Sequence, residues 1–253
     1  MDFHLFRMQL ERGIDHVNNM YVALDFPSWE ETESFISIHR LQGVPVKVGM
    51  ELFYREGPDV IKRLKEDQHP IFLDLKLHDI PTTVFRAMRN LAELDIDLVN
   101  VHALGGVEMM KQAKAGLRSG ARTDHETKLI AVTILTSFDK KTMNQELLLP
   151  GEIAEHAVHL AKMAKQSEVD GVVCSVHEAV GIKAICGQDF ITVTPGIRLE
   201  ASGRDDQKRV ATPYYAREYH ADRIVIGRSI TEAENPREAY ERAIKEWSNE
   251  TKL

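Results

Sequence analysis

The sequence predicts an α/β protein built as a single (β/α)₈ barrel, the TIM-barrel architecture. Its 253 residues are a usual length for one such barrel. Short β-branched runs alternate with longer segments of helical periodicity, and there are eight such runs. No Gly/Ser-rich or Pro-rich linker interrupts this alternation. We therefore place one barrel domain over residues 20–253, after an N-terminal extension of residues 1–19.

The predicted strands are short and apolar, as expected for a parallel barrel that is buried on both faces. In chain order they cover residues 21–25, 45–50, 71–77, 98–103, 129–136, 171–176, 191–197 and 223–228. Apolar residues at helical spacing predict helices over residues 29–39, 59–66, 84–94, 107–117, 152–166 and 236–247. Residues 136–150 and 198–212 follow strands without clear periodicity, so we expect them to form binding loops.

Composition argues against several functional classes. The 39 acidic and 32 basic residues give a net charge of −7, which disfavours non-specific nucleic-acid binding. No apolar run reaches the roughly 18 residues of a membrane span, and no signal-peptide core is visible, so we expect a cytoplasmic protein without a membrane partner. Cys174 and Cys186 are too few for a disulfide framework or a four-cysteine zinc site. We expect Cys174, inside an apolar run, to be a buried thiol.

A lysine–aspartate cluster is predicted at the carboxyl ends of the first three strands. Because strand side chains alternate, Asp74 and Lys76 share one face of the third strand. Asp25 ends the first strand, and Lys47 lies in the second. A single Asp-x-Lys pair fits a structural ion pair equally well. Burying several charges costs several kcal/mol for each unpaired ion, so we interpret the whole cluster as functional.

The ends of the seventh and eighth strands predict an anion site. Barrels of this architecture frequently bind phosphate in the loops that follow these two strands. Gly227 lets a backbone N–H approach an anion, and the Arg228 guanidinium matches phosphate oxygens. This local site would supply the positive charge that the acidic chain otherwise lacks.

Taken together, these segments resemble the orotidine 5′-phosphate decarboxylase family, whose members complete the synthesis of UMP. The signature is the run DLKLHDIPTT at residues 74–83. Similar strings follow the family's order at residues 23–25, 46–49, 99–103, 193–198 and 227–230. The resemblance spans residues 21–247 and is closest to the bacterial, stand-alone form.

The resemblance implies a role for each matching residue. The catalytic charged array would consist of Lys47, Asp74, Lys76 and Asp79. Asp79 would reach into the neighbouring subunit's site, which implies a homodimer with shared active sites. Residues that bind orotidine 5′-monophosphate or UMP would include Asp25, Lys47, Asp74, Ile80, Thr83, Thr136, Pro195, Arg198, Gln207, Gly227 and Arg228. Among them, Asp25, Lys47 and Thr83 would contact the ribose, with Thr83 crossing the dimer interface. Thr136, at the end of the fifth strand, would face the pyrimidine. Arg198, Gln207, Gly227 and Arg228 would lie at or beside the phosphate.

The family uses no metal and no organic cofactor, so the resemblance implies catalysis by fixed charges alone. Lys76 would offset the carbanion and protonate C6, and Asp74 would lie beside the departing carboxylate. We expect residues 199–212 to form a lid whose Gln207 contacts the phosphate. We also expect His102 to be a hydrogen-bonded imidazole inside the barrel, and His78 to support the loop.

Two other functions compete with this interpretation. Mg²⁺-dependent sugar-phosphate decarboxylases or aldolases of the same barrel suprafamily, such as hexulose-phosphate synthase, share the Asp-x-Lys-x-x-Asp spacing. Residues 78–83 and the second-strand Lys47 favour the orotidylate enzyme over them. A non-catalytic nucleotide-phosphate-binding barrel would keep Arg228, but it would have no reason to keep the whole charged array.

Overall fold

The computed structural model describes residues 19–199 and 211–248. Within them, eight parallel strands pair in chain order and β8 pairs with β1, so the sheet closes into a barrel. The strands are β1 Met20–Leu24, β2 Val46–Gly49, β3 Ile71–Leu77, β4 Leu98–His102, β5 Lys128–Val132, β6 Gly171–Val173, β7 Ile191–Ile197 and β8 Arg223–Ile226. The predicted (β/α)₈ architecture is confirmed. Gln207, most of the predicted lid and most of the predicted N-terminal extension lie outside the described residues.

Helices connect the strands and cover the outside of the barrel. They are α1 Trp29–Ile38, α2 Met50–Glu56, α3 Asp59–Glu66, α4 Pro81–Ala92, α5 Gly106–Gly120, α6 Ile153–Gln166, α7 Val176–Cys186, α8 Pro213–Glu218, α9 Arg228–Thr231 and α10 Pro236–Ser248. A 3₁₀ turn covers Ala103–Gly105, and a π-helical turn covers Thr142–Glu146. No helix within the described ranges combines the length and apolar character that crossing a bilayer requires.

Two predicted strands end three or four residues earlier than expected. The strand predicted over residues 129–136 stops at Val132, and the one predicted over 171–176 stops at Val173. The second ends because Ser175 caps α7: its backbone N–H donates to the Glu178 carboxylate, and its hydroxyl accepts in return from the first turn. Helix α7 was not predicted, because it is apolar on most of its surface and shows no one-sided periodicity.

The barrel interior is apolar below its charged mouth. Seven inward-facing side chains form a separate buried cluster: Tyr21, Ala23, Phe72, Leu98, Ile130, Val193 and Val225. The larger core lies between the outer faces of the strands and the helices, and it includes Cys174, which is buried as predicted. This packing holds the strands rigidly, so that side chains at their carboxyl ends project from fixed positions.

Three aspartates repeat one structural role at the opposite, amino-terminal face. Asp97, Asp170 and Asp222 each precede an even-numbered strand, and each accepts a backbone N–H near the start of the strand before it. The donors are Ile71 at 2.7 Å, Leu129 at 2.8 Å and Thr192 at 2.7 Å. Buried lysines join two of them: Lys114 with Asp170 and Lys183 with Asp222. These contacts fix neighbouring strands in register.

We expect Asp222→Ala to lower the free energy of unfolding by about 2–4 kcal/mol. The side chain of Lys183 is 4% exposed, so the change leaves a buried ammonium without its counter-charge, 2.5 Å away. The Thr192 N–H also loses its acceptor. Urea denaturation measures the loss. Glu93→Ala, which breaks an exposed pair with Arg122, should cost no more than about 1 kcal/mol. Equal losses for both variants would contradict the assigned role.

Candidate active site

The carboxyl ends of the strands surround a cavity of about 610 Å³. Phe72 and Val225 of the barrel interior form part of its apolar base, while charged groups line its walls. Nine predicted site residues belong to its lining: Asp25, Lys47, Asp74, Lys76, Thr136, Pro195, Arg198, Gly227 and Arg228. Among the described residues, Asp79, Ile80 and Thr83 were also predicted for the site but are not part of this lining.

Four of these residues form a continuous chain of alternating charge. Lys47 Nζ lies 2.6 Å from Asp25 Oδ1 and 3.8 Å from Asp74 Oδ2. Lys76 Nζ lies 2.7 Å from Asp74 Oδ1. The side chain of Lys47 is buried, whereas that of Asp25 is more than half exposed. The array therefore runs from the rim of the cavity inward, and each ammonium is held by at least one carboxylate.

Lys76 reaches this array through an irregular strand. Its φ is +52°, in the left-handed region that residues with a side chain rarely adopt. The register between β3 and β4 shifts between Leu73 and Leu77, which marks a bulge at this point. The sequence predicted a regular strand with Asp74 and Lys76 on one face. Both side chains do meet in the cavity, but the strand is bulged at Lys76 rather than regular.

A buried asparagine that was not predicted for the site joins these two residues. Asn100 on β4 is fully buried. Its Nδ2 donates to Asp74 Oδ1 at 2.6 Å, and its Oδ1 accepts from the Lys76 backbone N–H at 2.7 Å. The only signal in the sequence was a polar residue between two valines.

Asp74 is held as a carboxylate by its neighbours. Burial alone raises the pKa of Asp74, because a buried charge loses its hydration. The charges of Lys76 and Lys47, with hydrogen bonds from Lys76 and Asn100, outweigh that effect, and the pKa of Asp74 is lowered overall. The cavity therefore presents a fixed negative charge beside the Lys76 ammonium at neutral pH.

The ends of the seventh and eighth strands also line the cavity. Pro195, Arg198, Gly227 and Arg228 line it there, and the last three were predicted to lie at or beside a phosphate. The backbone N–H of Arg198 donates to the Ala211 carbonyl at 2.8 Å, which ties the two flanks of residues 200–210 together. Two arginines thus belong to the cavity lining beside the lysine–aspartate array, because β8 pairs with β1.

Thr136 also lines the cavity, but it does not end a strand. Strand β5 stops at Val132, so Thr136 lies in the loop that follows. The loop begins at Thr133, whose backbone N–H and hydroxyl both donate to the Val173 carbonyl. Cys174, directly after β6, is a further lining residue that was not predicted for the site.

Asp79, Ile80 and Thr83 lie outside the cavity of their own chain. All three are exposed, Ile80 to 67%. Asp79 Oδ1 accepts the Ile80 backbone N–H at 2.6 Å, in the turn that leads into α4. Pro81 occupies the first turn of α4, as predicted.

Two histidines lie together beside the array. The rings of His78 and His102 are 5.6 Å apart, and neither residue lines the cavity. Burial, followed by the charges of His78 and Lys76, lowers the pKa of His102. We expected His102 to be a hydrogen-bonded imidazole, but its buried Nδ1 has no hydrogen-bond partner among the described residues. No group of three or more His, Cys, Asp or Glu side chains in residues 19–199 and 211–248 is arranged to hold a metal ion.

Comparison with known proteins identifies similar chains. The family model described as "Orotidine 5'-phosphate decarboxylase / HUMPS family" matches residues 18–243. The orotidine 5′-phosphate decarboxylases of Bacillus cytotoxicus and Bacillus mycoides are each 52% identical over 234 residues, which cover 92% of this chain and 98% of theirs. The solved structure of orotidine 5′-phosphate decarboxylase from Lactobacillus acidophilus has a TM-score of 0.82 at 44% identity, covering 91% of this chain and 99% of that one.

Proposed function

The chain belongs to the orotidine 5′-phosphate decarboxylase / HUMPS family, and we propose that it converts orotidine 5′-monophosphate to UMP and CO₂ in pyrimidine biosynthesis. The reaction would need neither metal nor organic cofactor. The observation that carries the proposal is the Asp25–Lys47–Asp74–Lys76 chain of alternating charges in the cavity. Cytoplasmic location stays a prediction from the sequence.

The chemistry follows from where these charges lie. When the bond between C6 and its carboxylate breaks, the electron pair stays on C6, and the pyrimidine offers no conventional electron sink. Fixed charges must therefore stabilise the carbanion. The Lys76 ammonium would supply that charge and then donate its proton to C6. Asp74, 2.7 Å from Lys76 Nζ, would hold this lysine in place and disfavour the bound carboxylate beside it.

The remaining lining residues suit the other parts of the nucleotide. A volume of about 610 Å³ is within the roughly 300–1,000 Å³ usual for small-molecule sites. Asp25 and Lys47 would bind ribose hydroxyls, and Thr136 and Pro195 would contact the pyrimidine. The phosphate would be bound at or near Arg198, Gln207, Gly227 and Arg228. The guanidinium groups of arginines bind phosphate oxygens through paired, charge-assisted hydrogen bonds.

We further propose a homodimer with shared active sites. Asp79, Ile80 and Thr83 are exposed on the single chain, so they are available to a neighbouring subunit. Met50, Tyr54 and Leu104 are exposed apolar residues that follow β2 and β4, the strands on either side of β3. Subunit interfaces typically combine a core of apolar residues with a rim of polar ones. Asp79 would complete the charged array of the partner, and Thr83 would reach its ribose site.

A Mg²⁺-dependent sugar-phosphate decarboxylase or aldolase is the alternative. The position of Lys47 argues against it, because its ammonium lies between the Asp25 and Asp74 carboxylates. A divalent cation that used both carboxylates would have to displace this buried lysine. The same Asp25–Lys47 contact is what the decarboxylase proposal requires for the ribose.

The deciding experiment is the ultraviolet absorbance change when the purified protein meets orotidine 5′-monophosphate. We expect turnover to UMP at the same rate with and without EDTA. Loss of activity in EDTA, restored by Mg²⁺, would favour the alternative. No absorbance change at all, with the fold verified by circular dichroism, would refute the proposed activity.

A further inference from the structure

We propose that Asn100 is a positioning residue that sets Asp74 and Lys76 in their reactive arrangement, an inference that rests on the proposed function. Asn100 is fully buried on β4 and is not part of the cavity lining, so it acts through its neighbours. It is the one described side chain that hydrogen-bonds both to the Asp74 carboxylate and to the backbone of Lys76.

The chemistry of the two contacts requires an amide. A carboxylate can only accept hydrogen bonds, and a backbone N–H can only donate one. The asparagine side chain offers a donor to Asp74 at 2.6 Å and an acceptor to Lys76 at 2.7 Å. An isosteric leucine provides neither group. An isosteric aspartate provides the donor only when it is protonated.

The backbone contact matters because Lys76 has a φ of +52°. A lysine persists in this region only when surrounding contacts hold it there. Asn100 is well placed to do so, because it lies on β4 opposite the register shift and its Oδ1 accepts the Lys76 backbone N–H. Without this acceptor, we expect the bulge to relax and the Lys76 ammonium to lose its fixed place 2.7 Å from Asp74.

The first test is Asn100→Leu, assayed with orotidine 5′-monophosphate. We expect kcat to fall roughly 10- to 100-fold, the range for a lost hydrogen bond to a charged group. KM should stay within about threefold, since the predicted ribose and phosphate contacts are untouched. Leu98→Val is the matched control, because Leu98 lies two residues earlier on β4 and also faces the barrel interior. It should keep its kcat. A wild-type kcat for Asn100→Leu would overturn the proposal, as would equal kcat losses in both variants.

The second test is the pH profile of Asn100→Asp, which preserves shape. Burial and the adjacent Asp74 charge raise the pKa of the introduced carboxyl, whereas Lys76 and Lys47 lower it. While protonated, it can still donate to Asp74; once ionised, it repels Asp74. We therefore expect kcat to fall as pH rises, or to stay low throughout if it is ionised across the range. The wild type has every other nearby titratable group, including Asp25, His78 and His102. A difference between the two pH profiles therefore comes from the side chain at position 100. A kcat equal to the wild type's at a pH where carboxyl ¹³C NMR shows the introduced carboxyl to be ionised would refute the proposal.

A third measurement does not depend on activity. Because the Asn100 hydrogen bond lowers the pKa of Asp74, its removal in Asn100→Leu should raise that pKa, as followed by carboxyl ¹³C NMR. If the wild type fails to act on orotidine 5′-monophosphate, the proposed function fails, while this titration still tests the Asn100–Asp74 contact. If Asn100→Leu does not fold, the same titration of Asn100→Ala, which also lacks the donor, decides. An unchanged Asp74 pKa would contradict the contact itself.

Discussion

Lys76→Ala is expected to lower kcat by roughly 10³-fold or more while UMP binding stays measurable. The ammonium supplies both the charge that faces the carbanion and the proton that reaches C6, and general acid catalysis alone contributes roughly 10²–10⁴. UMP carries no carboxylate at C6 and is already protonated there. Its binding depends instead on the predicted contacts of Asp25, Lys47 and the phosphate site.

Steady-state kinetics and UMP titration calorimetry measure the two effects separately. Lys62→Ala is a suitable control, because this lysine is exposed on α3 and pairs only with Asp59 among the described residues. It should keep wild-type activity. Lys76→Arg adds a second comparison, since arginine keeps the positive charge but cannot release a proton. A Lys76→Ala protein that retained more than about a tenth of kcat would contradict the assignment of Lys76.

The barrel and its charged array were predictable because each depends on short-range patterns. Strands β3 and β7 begin and end as predicted, since their apolar runs are bounded by clear breaks. The convergence of Asp25, Lys47 and Asp74 follows from the rule that the carboxyl ends of parallel strands meet at one face. A barrel closed in chain order leaves little freedom in which strands are neighbours.

The features that escaped prediction depend on contacts between distant residues. The bulge at Lys76 arises where β3 meets β4, and its partner Asn100 lies 24 residues further along the chain. A single asparagine between valines does not reveal which groups it will join. Helix α7 was missed for a different reason. Its buried and exposed faces differ little in hydropathy, so the apolar residues show no helical period that would distinguish it from a strand. Thr136 was placed on a strand because the apolar run continues past Val132.

Mixing two inactive variants is expected to restore activity if Asp79 acts across the dimer interface. In a heterodimer of Asp79→Asn with Lys76→Ala, one site combines Lys76 of the first subunit with Asp79 of the second, and both are intact. The other site carries both changes. Random exchange makes half of the dimers mixed, so about a quarter of wild-type sites should recover. Each variant alone should stay nearly inactive, and absorbance assays before and after subunit exchange measure the gain.

The reciprocal mixture makes this test decisive. When wild-type chains are mixed with the double variant Lys76→Ala/Asp79→Asn, each site of a heterodimer carries one change if sites are shared. Activity should then fall to about a quarter of that of an all-wild-type sample, whereas self-contained sites would leave about half. Exposed Asp79, which lies outside the cavity of its own chain, supports the first outcome. With exchange verified by mass spectrometry, no recovery in the first mixture and half activity in the second would show that each subunit works alone.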